Sequence, residues 1–180
     1  MNKKIAVLIL PVLLILTTHA FGRSIISGQV VDAKTGQPIE GVAIFVEWTK
    51  SPFGPPGLDY EETVEAAETL TDSAGHFDIP KYSTLFKSFK MAVYKNGYVC
   101  WSSWKIFPGW RNRKGFKPKN RIVIRLERLE KEYSKEAHAD FTLKMSIGCR
   151  AEFRKAIRIE REIQRNHIVQ KRGEESEAMK

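Results

Sequence analysis

No acidic residue occurs between Lys81 and Leu126, a stretch that carries twelve lysines and arginines. The reverse holds just before it, where residues 51 to 80 carry seven acids and no Lys or Arg. The formal charge of +9 is therefore segregated along the chain. Two outcomes stay open from sequence: the acidic and basic segments face each other, or the basic stretch remains exposed and attracts polyanions such as acidic glycans or phospholipid headgroups. Such attraction reads charge and not base sequence, so no specific nucleic-acid partner is implied. Cysteine is scarce too. Cys100 and Cys149 allow one disulfide at most in an oxidising compartment, or two buried thiols packing as small apolar groups.

Long apolar runs are missing apart from Ile5 to Leu16, which Pro11 interrupts. That run falls short of the roughly 20 apolar residues a membrane span needs. With Lys3 and Lys4 before it and Thr18-His19-Ala20 after it, the segment reads as a signal peptide over residues 1–22. The expectation is an exported protein, periplasmic or secreted, with no membrane span after cleavage. The 180 residues suit one domain with an appendage.

Catalytic patterns are also missing. A zinc hydrolase needs closely spaced His and Glu plus a further His, yet His76, His138 and His167 stand apart and none has that neighbour. They read as turn or surface residues. No Gly-x-Ser-x-Gly elbow surrounds any serine, and no phosphate-cradling glycine loop precedes a helix. Glu61, Glu62, Glu65 and Glu68 read as a solvated acidic run. No catalytic residue, metal or cofactor is expected, and the chain reads as a non-enzyme.

What is present is a series of short extended segments. Ile26 to Val31 and Val42 to Trp48 are β-branched and look buried, with Gly36 and Pro38 marking the turn between them. Residues 51–60 hold three prolines and two glycines and read as a surface loop, in which Phe53 and Tyr60 either cap the fold or meet a ligand. A strand from Thr63 to Thr71 leads into Asp72-Ser73-Ala74-Gly75, which reads as a hairpin turn, and then to Phe77 and Ile79. Phe89, Met91 and Val93 alternate before a second hairpin signal at Asn96-Gly97. In Arg121 to Leu129, Ile122, Ile124 and Leu126 share one face. Several short strands at this spacing predict a mainly β sandwich. From residue 130 on, helix formers dominate and predict two helices around Gly148, the first with Tyr133, Ala137 and Phe141 at helical spacing although Ala139, Phe141, Leu143, Met145 and Ile147 also alternate as in a strand, the second with Cys149, Phe153, Ala156, Ile157 and Ile163 at helical spacings; residues 171–180 read as frayed.

The series Ile26-Ser27-Gly28-Gln29-Val30-Val31-Asp32, Thr35-Gly36-Gln37-Pro38-Ile39-Glu40-Gly41-Val42, Thr71-Asp72-Ser73-Ala74-Gly75-His76-Phe77 and Asn96-Gly97-Tyr98 resembles carboxypeptidase regulatory-like domains. The match covers roughly residues 24–99, with Arg121 to Leu129 as the closing strand. The resemblance implies a seven-stranded transthyretin-like (prealbumin-like) β-sandwich over residues 23–129, used as an accessory or binding module without catalytic residues. Residues 130–180 then form a charged helical extension. The Pro-rich loop, the Trp-rich stretch and this tail fall outside the resemblance.

One constellation suits binding: Tyr98, Trp101, Trp104, Phe107 and Trp110 interspersed with Lys105, Arg111, Arg113 and Lys114. Flat aromatics stack on sugar faces, and guanidinium groups clamp carboxylate, sulfate or phosphate. Tyr98, Trp101, Trp104, Lys105, Trp110 and Arg111 are the binding candidates, with an envelope protein or an anionic polysaccharide as partner. The competing reading is that the tryptophans cover a sandwich edge or the helical tail, leaving a chiefly structural domain.

Overall fold

The computed structural model describes residues 25–50, 62–80, 88–118 and 120–179. The proposed leader and the loop with Phe53 and Tyr60 lie outside the described residues. Within them, nine strands are followed by three helices: β1 (Ile25–Asp32), β2 (Ala43–Lys50), β3 (Glu62–Leu70), β4 (His76–Pro80), β5 (Ser88–Tyr94), β6 (Trp101–Ser102), β7 (Lys105–Ile106), β8 (Arg111–Asn112), β9 (Ile122–Leu126), α1 (Lys135–Met145), α2 (Ala151–Ala156) and α3 (Arg158–Ala178). One sheet has the order β4-β1-β9, a second β3-β2-β5-β6, and β7-β8 form a small ribbon. β1 runs antiparallel to β4 and parallel to β9. The second sheet is antiparallel throughout, with an irregularity in β2 between Trp48 and Thr49.

The inner faces of the two sheets meet in a core. β1 contributes Ile26 and Val30, β4 Phe77 and Ile79, and β9 Ile122, Ile124 and Leu126; opposite them stand Ile44, Val46 and Trp48 of β2 with Met91 and Val93 of β5. The alternation in β9 survives intact, since its even-numbered residues are buried and Val123 and Arg125 are exposed. β1 has neighbours on both sides. At Gly28 a Cβ atom would run into the Ile122 carbonyl and the Phe77 ring, so the approach of three backbones there requires glycine.

β2 is buried along nearly its whole length, on both faces. Its second face carries Ala43 and Phe45, continued by Ala66 of β3 and by Ala92 and Tyr94 of β5. Phe141 and Met145 of α1, Phe153 of α2 and Ile157 close over this face. The chain thus stacks three layers, sheet on sheet on helices, and the charged tail supplies the third. Each fully buried Phe or Ile contributes roughly 1.5–3 kcal/mol over leaving it in water, against roughly 0–1 kcal/mol for an exposed ion pair such as Lys144 with Asp140.

Several expectations need correcting. The turn at Asp72 to Gly75 is tight, with the Asp72 carboxylate accepting from the Ala74 and His76 amides, yet it makes no hairpin. β3 pairs with β2 and β4 with β1, so the chain crosses from one sheet to the other there. The Asn96-Gly97 turn does lie between paired strands, β5 and β6, but within a longer connection. Among the described strands, β3 does not pair with β5 or β6, because β2 separates them, while Asp72, Asp78 and Arg121 line one cleft across β1. The tail holds three helices and not two: Gly148, at φ 86°, ends the first bend, and Ile157 breaks the remainder into α2 and α3. α3 runs through Gly173 to Ala178 with no fraying at 171.

A carboxylate from the acidic run secures this layer. The Glu68 side chain on β3 accepts hydrogen bonds from the backbone amides of Arg150, Glu152 (3.0 Å) and Phe153 (3.3 Å). These are the orphan donors at the start of α2, which has no capping side chain of its own. Glu68→Ala is expected to lower stability by about 1 kcal/mol, and Phe153→Ala by about 3–5 kcal/mol, in urea denaturation. An unchanged midpoint for Phe153→Ala would show that the helices do not cover the sheet.

Candidate functional site

The aromatic and basic segment divides into inward and outward residues. Tyr98 is buried, and its hydroxyl donates to the Asp32 carboxylate at 3.1 Å. Arg128 donates to the same oxygen at 2.8 Å and lies 4.5 Å over the Tyr98 ring. The Lys34 and Thr35 amides fill the other Asp32 oxygen. The Thr35 amide above all, with Arg128 and Tyr98, holds the Asp32 carboxyl well below the usual carboxylate range, although burial opposes this. Tyr98 is therefore a structural tie between the end of β1 and the β5–β6 connection, not a ligand residue.

Trp101 is half-buried, set edge-on against Phe116, and covered by the Arg113 guanidinium at 4.7 Å. Arg113 is held in turn, its Nε donating to the Ser102 carbonyl at 2.7 Å. Phe107 is buried against Tyr133, His138 and Phe141. Trp110 leans edge-on against Phe141 of α1 at 5.0 Å and meets Lys144. Packing thus absorbs Tyr98, Trp101 and Phe107, and part of Trp110.

Trp104, Lys105 and Arg111 remain. Trp104 sits between β6 and β7 with 37% of its surface exposed. The Lys90 ammonium of β5 stands 5.1 Å from its ring centre and that of Lys105 5.3 Å. Lys105 also donates to Asn112 Oδ1 at 2.8 Å across the ribbon, a neutral partner that leaves its charge uncompensated. Arg111 is exposed on β8, paired through the backbone with Ile106. Lys90, Trp104 and Lys105 form a ridge, an aromatic plate edged by two ammonium groups, with Arg111 on the adjacent strand of the ribbon. Of two clefts beside Trp101 and Arg113, one holds about 270 Å³ and the other, reaching Phe116 and Lys117, about 450 Å³, the second within the roughly 300–1,000 Å³ of a small-molecule pocket. The open ridge is the better platform for an extended ligand.

Sequence reasoning missed a second constellation, because His138 is not on the surface but fully buried in α1. Its Nε2 accepts the Cys100 backbone amide at 2.9 Å. With Nε2 accepting, a ring proton sits on Nδ1, which lies 3.2 Å from Glu160 Oε1 without the alignment of a full hydrogen bond. That oxygen accepts from the Tyr94 hydroxyl at 2.9 Å. Burial, and then the Glu160 charge, push the Tyr94 phenol far above its ordinary range. Cys, His and Glu in one cluster suggest an acyl-transfer triad, but two features remove that chemistry. The imidazole acceptor is occupied by an amide, and burial pushes the Cys100 thiol up to about 12, so it stays protonated and is a poor nucleophile. The cluster ties sheet to helices. Cys149 is buried as well, and both thiols stand free.

No protein-family model matches the chain, and no curated protein matches it. Among solved structures, it is similar to a 3-chlorocatechol 1,2-dioxygenase from Rhodococcus opacus 1CP, at 18% identity and a TM-score of 0.35, over 58% of this chain and 59% of that one. It is also similar to a streptococcal ancillary pilin, at 15% identity and a TM-score of 0.33, over 59% of this chain and 29% of that one. The chain spans less than two thirds of either structure, and similarities this low carry no argument about activity. No helix among the described residues is long and apolar enough to cross a membrane.

Two measurements check the assignments of Asp32 and Cys100. Because folding lowers the Asp32 pKa from an unfolded value near 3.9, its contribution is present above about pH 4 and is lost as pH falls further. Asp32→Asn should therefore destabilise the protein at neutral pH, with the deficit narrowing in acid; a constant deficit would assign the loss to packing. A disulfide-exchange reagent should modify Cys100 only after denaturation. Rapid labelling of the folded protein would contradict its burial.

Proposed function

We propose that this chain is an exported, non-catalytic binding module of the cell envelope, built on a sandwich of the carboxypeptidase regulatory-like, transthyretin-like type, and that it holds anionic polysaccharide on the ridge around Trp104. The observation that carries the reading is the partly exposed Trp104 ring flanked by the Lys90 and Lys105 ammonium groups. Stacking on an aromatic plate takes up the apolar face of a sugar ring. Ammonium and guanidinium groups at its margin take the carboxylate or sulfate substituents. Neither element demands a deep pocket, which suits a polymer lying across a surface.

The family resemblance supports the same reading. The motif residues take up turn and sheet-contact roles: Asp32 organises the first turn, Gly75 adopts φ 72°, and Gly28 sits where strands approach. The Trp-rich stretch falls outside that motif and is free to vary the ligand. Export rests on the leader read from residues 1–22.

Binding of the chain from Arg23 onward to polygalacturonate, dextran sulfate and neutral dextran tests the proposal. The two acidic polymers should bind and weaken with salt, while neutral dextran should not. Trp104→Ala with Lys105→Glu should lower affinity about ten-fold or more, with an unchanged melting temperature, given about 1 kcal/mol for each of stacking and charge. Equal binding by the variant, or no binding of either acidic polymer, would return the segment to a structural role.

A further inference from the structure

A separate surface lies on the helical layer. The turn between α1 and α2 and the stretch of α3 from Arg161 to Arg172 enclose a groove of about 640 Å³ that shares no residue with the ridge. Four arginines line it and no carboxylate does. On α3, Arg161, Arg165, Ile168 and Arg172 recur at steps of four, three and four, which places them in one stripe along the helix. The inward stripe of the same helix is different, running from Ile157 to the buried Glu160. The groove is also apolar. Ile147 is 71% exposed, Ile168 42% and Val169 65%. At the floor, Gln164 Oε1 is buried and has no hydrogen-bond partner.

We propose that this groove docks the protein on an anionic phospholipid surface. The three aliphatic side chains enter the boundary between headgroups and acyl chains, and Arg161, Arg165 and Arg172 hold lipid phosphates. Aliphatic groups left in water beside cations are the pattern of an interfacial helix. A nucleic acid would satisfy the arginines but leave Ile147, Ile168 and Val169 wet. A neutral apolar partner would strand the guanidinium groups, which have no carboxylate in the groove to pair with. An anionic amphiphilic surface answers both halves.

Flotation of the chain from Arg23 onward, which holds the whole described fold, with vesicles of phosphatidylcholine alone or mixed equally with phosphatidylglycerol tests the proposal. The mixed vesicles should bind the protein and the neutral ones should not. Arg165→Gln and Arg172→Gln should each weaken partitioning about five-fold, the change expected for one basic residue at a charged membrane. Ile168→Ser with Val169→Ser should also weaken it, while leaving binding to dextran sulfate unchanged. Trp104→Ala should have no effect on flotation, which separates this surface from the ridge. All four positions are solvent-facing, and unchanged circular dichroism confirms that each variant folds. The proposal is overturned if the mixed vesicles do not bind, if the serine variant floats like the parent protein, or if a short DNA duplex competes fully for the site.

Discussion

The four-stranded sheet carries apolar side chains on both of its faces, and most of the surrounding structure follows from the need to cover two surfaces at once. Ile44, Val46 and Trp48 point from β2 towards the three-stranded sheet, while Ala43 and Phe45 point the other way. A two-layer sandwich would leave Phe45, Ala66, Ala92 and Tyr94 in water. The helices close that face with Phe141, Met145, Phe153 and Ile157. Burial of this size far outweighs the surface ion pairs of the tail, so a segment that looks like a charged appendage belongs to the folded body.

Apolar packing supplies energy but little register, and three polar ties supply the latter. Glu68 receives the first turn of α2, Tyr94 reaches Glu160 on α3, and His138 on α1 receives the Cys100 amide. Each joins one helix to the sheet or to the loop beside it. An alternative seating of the helices would break the bonds that the Glu68 carboxylate, the His138 Nε2 and the Tyr94 phenol make here. The same cluster brings a thiol, an imidazole and a carboxylate close together without making a nucleophile, since the groups are spent on each other and on the backbone. The Trp104 ridge and the arginine groove, where binding is proposed, both lie outside this cluster.

Much of this was legible where the signal is local. The alternation of Ile122, Ile124 and Leu126 found β9 and its inner face, and the continuous burial of Val42 to Trp48 was visible, though not that helices would cover half of it. The Asp72 to Gly75 turn was misread because its chemistry fixes a tight reversal but not the sheet that receives the next strand. Glu68 looked like any member of an acidic run; the amides it caps lie more than eighty positions on. His138 did leave a trace. His138, Phe141, Thr142 and Met145 step by three, one and three, a single helical stripe, and a histidine inside such a stripe is buried with it. Among the binding candidates, Trp104, Trp110 and Arg111 are exposed and Lys105 is part-buried, whereas Tyr98 is committed to Asp32, a long-range tie that composition cannot announce.

Native-state hydrogen exchange of the chain from Arg23 onward tests the central claim most directly, because it reports whether sheet and helices open together. The amides of Phe45 and Val46 in β2 and those of Phe141 and Thr142 in α1 should exchange with similar free energies, through one cooperative opening. If the α1 amides exchange at far lower free energy while β2 stays protected, the helical layer is an independent appendage and the three-layer account is wrong.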